Sequence, residues 1–103
     1  PVEHLLNALA GCVTSSLVYH AAAKGIRVEE VESRIEGSID LRGFLGIDKS
    51  IRNGFQNIQM HFKVKSDVPD EQFQQLIQLG PTYSPVFDSI TRGVPVKVTG
   101  ERV

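Results

Sequence analysis

The chain has 103 residues, 41% hydrophobic and 22% charged, which suits one soluble globular domain with a single core. Eleven basic against twelve acidic side chains give a net charge of −1, so neither a nucleic-acid backbone nor an anionic membrane meets a positive field. Nucleic acid and membrane are not expected as partners, and one cysteine with no preceding signal peptide points to a reducing cytoplasm.

Pro1 opens the chain at a helix start, where a missing N–H costs nothing, and the absence of an initiator methionine suggests a missing N-terminal segment. The first helix is predicted over Val2–Lys24, closed by Gly25, with Ile26 packing back on the last turn. Leu5, Leu6, Leu9, Cys12, Val13, Leu17, Val18 and Ala21 make it apolar around most of its girth, so it needs cover on several sides. Its most apolar run, Leu5–Tyr19, is interrupted by Asn7, Thr14, Ser15 and Ser16 and falls short of the ~20 apolar residues a bilayer requires, which predicts a core helix.

From Val31 the pattern alternates. Val31, Ser33, Ile35, Gly37, Ile39 and Leu41 share one face, and Glu30, Glu32, Arg34, Glu36, Ser38 and Asp40 the other. After a loop containing Asn53-Gly54, a second strand turns Ile58, Met60, Phe62 and Val64 inward and Gln59, His61, Lys63 and Lys65 outward, which suggests antiparallel pairing with lysines across from glutamates. A helix is predicted from Pro69 to Leu79, opened by Asp67 and early acidic residues. Another starts at Ser84-Pro85, with the serine hydroxyl as cap, and ends at Gly93. Val94, Val96 and Val98 predict a final strand, with Pro95 marking an edge or a strand start. The expected architecture is one α+β domain over residues 1–103, a long buried helix and two shorter helices on an antiparallel sheet.

Cys12 is the one candidate nucleophile. On placement alone a lone thiol in an apolar helix is better read as core filling, because free cysteine packs as a small hydrophobe. His4, His20 and His61 lack ligand spacing, so neither a metal nor a cofactor is expected. Phe44, Leu45 and Ile47 in the segment Arg42–Ile47 either line an apolar pocket or cap the core and a subunit interface, and the packing reading is favoured. Asp88 and Arg92, one helical turn apart, predict a surface ion pair.

Three segments resemble proteins of the OsmC/Ohr family, the osmotically inducible and organic hydroperoxide resistance group. They are Pro1-Val2-Glu3-His4-Leu5-Leu6-Asn7-Ala8-Leu9-Ala10-Gly11-Cys12, the strand with Glu32 and Glu36 running into Ile39-Asp40-Leu41-Arg42-Gly43-Phe44-Leu45-Gly46, and Tyr83-Ser84-Pro85-Val86-Phe87. The resemblance covers nearly the whole chain and implies an intertwined homodimer, with central helices between sheets and a thiolate that reduces organic hydroperoxides at the subunit boundary. It also implies strands ahead of the first helix, so the chain is read as a fragment or a truncated variant.

The resemblance carries Cys12 over as the peroxidatic thiol and makes Ser84 the position of the family's second cysteine. Peroxide attack requires the thiolate, a small minority at the ordinary cysteine pKa of ~8.5, so a cation must stabilise it. Helix neighbours of Cys12 one turn away carry no charge, and His4 and His20 lie roughly 12 Å off by the helical rise. The family's arginine belongs to the missing strands, which leaves a substitute such as Arg42 or Arg52 of a partner subunit. Ser84 caps a helix but cannot form the resolving disulfide, and Val2 stands where the family has a carboxylate, with Glu3 rotated by about 100° from that direction. The expected function is a thiol-dependent organic hydroperoxide reductase in oxidative stress defence, using Cys12 and an external thiol reductant. The alternatives are a non-catalytic protein binding a small hydrophobic molecule at the dimer interface, and a unit whose only role is dimerisation.

Overall fold

The computed structural model describes residues 1–103. In chain order these form α1 (Val2–Ala23), β1 (Val28–Ile39), α2 (Leu41–Phe44), β2 (Phe55–Ser66), α3 (Asp70–Tyr83) and α4 (Pro85–Arg92). The class is α+β, with β1 and β2 as an antiparallel pair and α1, α3 and α4 as the helical layer.

α1 ends as its sequence predicts. Gly25 takes φ +73°, its N–H donates to the Ala22 carbonyl at 3.0 Å, and the Ile26 N–H donates to the Ala21 carbonyl at 2.8 Å. This is the paired hydrogen-bond closure that glycine permits, and it places Ile26 against Leu17, Ala21 and Leu76.

The strand register pairs Val31 with Val64, Ser33 with Phe62 and Ile35 with Met60 on the inner face, and sets Glu32 across from Lys63 and Glu30 across from Lys65. Lys65 makes its ion pair with Glu29 instead, at 3.5 Å, because the register shifts between Val28 and Glu30. Leu41 leaves the strand. Asp40 caps α2 by accepting a hydrogen bond from the Arg42 N–H, so the predicted strand face ends at Ile39.

α3 runs on to Tyr83, beyond the predicted stop at Leu79, with Pro81 inside it. A proline normally excludes its predecessor from helical backbone by colliding with that residue's Cβ, and Gly80 has none. Gly80 also lets α3 press on α1, since a Cβ there would lie 2.8 Å from Val13 Cγ1 and 3.1 Å from the Val13 carbonyl oxygen. The Ser16 hydroxyl donates to the Leu79 carbonyl at 2.8 Å, locking the two helices at the same level.

The predicted final strand is absent. Residues 93–103 take no regular structure, and Val94, Val96 and Val98 are 62%, 79% and 88% exposed. Their alternation is present, but a strand needs a neighbouring edge to bond, and this segment meets none within the chain.

Burial is one-sided. Leu17, Ala21 and Leu76 form the core, with Val31, Phe62, Val64 and Phe73 packed around them. Only Leu9, Val13, Ser16, Leu17 and Ala21 of α1 are buried, so the chain covers one stripe of a helix that is apolar on several sides. At 22 residues, with mean hydropathy 1.3 in its best window, α1 is long and apolar enough to cross a membrane, against the shortfall predicted from its polar interruptions. In this fold it is the helix on which α3, α4 and β1 pack. The radius of gyration is 17.4 Å, well above the ~13 Å of a compact domain of about 100 residues.

Two substitutions test this packing by urea unfolding. Gly80→Val is expected to cost about 1–3 kcal/mol by forcing α3 off Val13, and Leu17→Ala about 2–5 kcal/mol through the cavity it leaves. Unchanged midpoints for both would contradict the packing.

Candidate active site on the central helix

The buried stripe of α1 fixes where its thiol lies. Leu9, Val13 and Ser16 are buried, whereas Ala8, Ser15 and Tyr19, also within one turn of Cys12 or two, are exposed. Cys12 falls on the boundary between these two stripes and is half-buried. The five ion pairs of the chain all lie elsewhere, so no salt-bridged charge sits at the sulfur.

The other predicted residues are placed as follows. Ser84 is 2% exposed, and its Oγ accepts a hydrogen bond from the Phe87 N–H at 3.1 Å, with Pro85 in the first turn of α4. Its capping role is thus seen directly. His20 does not approach Cys12; its ring stacks on Tyr83 with centroids 4.0 Å apart. His61 stands opposite Arg34 on the outer face of the sheet, far from the helical histidines in register and layer. Glu3 is exposed at the start of α1. Asp88 and Arg92 form the predicted pair at 3.4 Å.

The two arginines considered as substitute cations differ. Arg42 is held by Asp40, with Nη2 to Oδ2 at 2.7 Å and Nε to Oδ1 at 3.1 Å. That hydrogen bonding holds the Asp40 carboxyl below the usual aspartate range and raises Arg42 further. Arg52 enters no ion pair.

Phe44, Leu45 and Ile47 are 72%, 61% and 70% exposed, so they cap no core within this chain, and they do not line the apolar groove, which leaves the subunit-interface half of the packing reading. The apolar pocket lies elsewhere, between the helical layer and the sheet. It is a groove of roughly 860 Å³ walled by Leu5 and Leu9 of α1, Phe55 and Met60 of β2, Ile77 of α3 and Phe87 of α4. Sequence reasoning missed it. The available signal was a surplus of inward apolar residues on β2 and α4 relative to what one stripe of α1 can cover.

The class defined by this arrangement is an α+β domain built around a central helix with one half-buried cysteine, over a two-stranded antiparallel sheet. The OsmC-like protein family model matches residues 1–99, and the chain belongs to that family. Its fold is similar to the crystal structure of an OsmC-like protein from Mycoplasma pneumoniae, with a TM-score of 0.75 at 21% identity over 88% of this chain. The chain spans 61% of the length of that protein. No curated protein matches the sequence.

Ser84→Ala is expected to lower stability by about 1 kcal/mol, the worth of a helix cap, while leaving the rate of Cys12 alkylation in the native state unchanged. A change in alkylation rate without a loss of stability would give Ser84 a role at the thiol instead of a structural one.

Proposed function

We propose that this protein reduces organic hydroperoxides through Cys12, as a homodimer in the cytoplasm. One observation carries the reading: the only cysteine is half-buried at the edge of the buried stripe, on the helix that carries the family resemblance. The Cys12 thiolate attacks the terminal peroxide oxygen, the O–O bond breaks, and the departing alkoxide takes up a proton to leave as an alcohol. Cys12 is left as a sulfenic acid. Ser84 offers no second thiol, so an external thiol condenses with the sulfenic acid, releasing water, and a second equivalent frees Cys12 as the external disulfide departs. The cation that sustains the thiolate comes from outside this chain's α1 surroundings, and a second copy is its proposed source. The exposed apolar side chains Val18, Tyr19, Phe44, Leu45 and Ile47 support that second copy, since apolar clusters at the surface mark partner contacts.

A second reading has its own support in the groove, whose lining is apolar at eleven of eighteen residues. In that reading the protein binds a small hydrophobic molecule without turnover.

Loss of cumene hydroperoxide in the presence of dithiothreitol separates the two. Under the peroxidase reading the protein consumes it catalytically, and Cys12→Ser reduces consumption to the buffer rate. Equal rates for both proteins would contradict it. Sedimentation equilibrium is expected to give the mass of two chains, and a single-chain mass would remove the proposed source of the cation.

A further inference from the structure

The groove between the helical layer and the sheet is uncharged at every lining position except one. That position is Arg52, in the loop that leads into β2. Arg52 forms no ion pair, unlike Arg27, Arg42 and Arg92, each of which is held by a carboxylate. No aspartate or glutamate lines the groove to answer its charge.

The loop is held in place. Gly43 of α2 is buried against the carbonyls of Ile51 and Arg52, and an added Cβ would lie 2.8 Å from the Ile51 oxygen. The backbone that presents the guanidinium is therefore fixed by packing, although the side chain itself reaches solvent.

The groove also has a direction. Phe62 packs on the Leu17–Ala21–Leu76 core, so the Phe62 end of β2 is the end nearest the core. Gly54 and Phe55, next to Arg52, lie at the opposite end together with Val2 and Leu5 of α1. From Val2 to Val13 the α1 wall runs about 16 Å at the helical rise. A long apolar slot with one unanswered guanidinium at its mouth is complementary to an amphiphile with an apolar tail and an anionic end.

We propose that this groove binds a medium-chain carboxylate, with the tail along Leu5, Leu9, Met60 and Phe87 and the carboxylate paired with Arg52. The planar fork of arginine suits a carboxylate through two parallel N–H···O bonds. The inference rests on the ligand-binding reading of the groove and makes no use of thiol chemistry.

Isothermal titration of the whole chain with laurate, lauryl alcohol and laurylamine, each below its aggregation concentration, tests it. Laurate is expected to bind at least about tenfold more tightly than the alcohol, and the amine more weakly than either. Arg52→Gln is expected to remove the advantage of laurate and to leave the affinity for the alcohol in place, which also shows that the variant is folded. Cys12→Ser is expected to bind laurate as the parent does. Equal binding of laurate and alcohol, indifferent to Arg52, would overturn the carboxylate assignment while leaving an apolar site. No binding of any of the three would overturn both. Laurate binding that survives Arg52→Gln but disappears with Leu9→Gln would keep the groove and remove Arg52 as its anchor.

Discussion

The packing of one stripe of α1 on α3 is the constraint from which the rest follows. Gly80 sets the separation, because without a side chain it lets the backbone of α3 come up to Val13. The Ser16 hydroxyl sets the level by donating to the Leu79 carbonyl. Leu17, Ala21 and Leu76 then close into a core at one end of the molecule, and the loop after Gly25 brings Ile26 onto it. Because this contact uses only one side of α1, the helix has a buried stripe, an exposed stripe and a boundary between them. Cys12 lies on that boundary.

The same one-sidedness explains the groove. At the core end, β2 reaches the helices through Phe62 and Val64. Toward Phe55 the sheet and the helical layer part, and the apolar residues along both walls face an open slot. Both candidate sites lie at the limits of this packing, Cys12 at the edge of the buried stripe and the groove beyond the core toward Phe55.

Much of the fold was legible because it depended on local chemistry. Gly25 required a helix end, Ser84-Pro85 a helix start, and strict alternation in β1 and β2 pointed to the inner face and to antiparallel pairing. What was not legible depended on neighbours. α3 was expected to stop at Leu79, and it continues through Gly80 and Pro81 to Tyr83, where Gly80 has no Cβ for the proline ring to meet. Val94, Val96 and Val98 carry a strand pattern with no edge to pair against. Phe44, Leu45 and Ile47 are apolar, yet within this chain they stay exposed in and after α2. At the candidate site, the sequence offered Cys12 as the one thiol and predicted the capping role of Ser84. It could not show that Cys12 lies at the edge of a stripe instead of within one, since that depends on which face α3 covers. Nor could it distinguish Arg42, neutralised by Asp40, from the unpaired Arg52.

Reaction of the native protein with one equivalent of cumene hydroperoxide, followed by intact mass and mapping of the modified peptide, is the most direct test of the claim that one-sided burial leaves a reactive thiol on α1. The account predicts one added oxygen on Cys12 in the folded protein, gained faster than by free cysteine at the same pH and trapped by a sulfenic-acid reagent. A Cys12 that stays unmodified until the protein is unfolded in denaturant would contradict it.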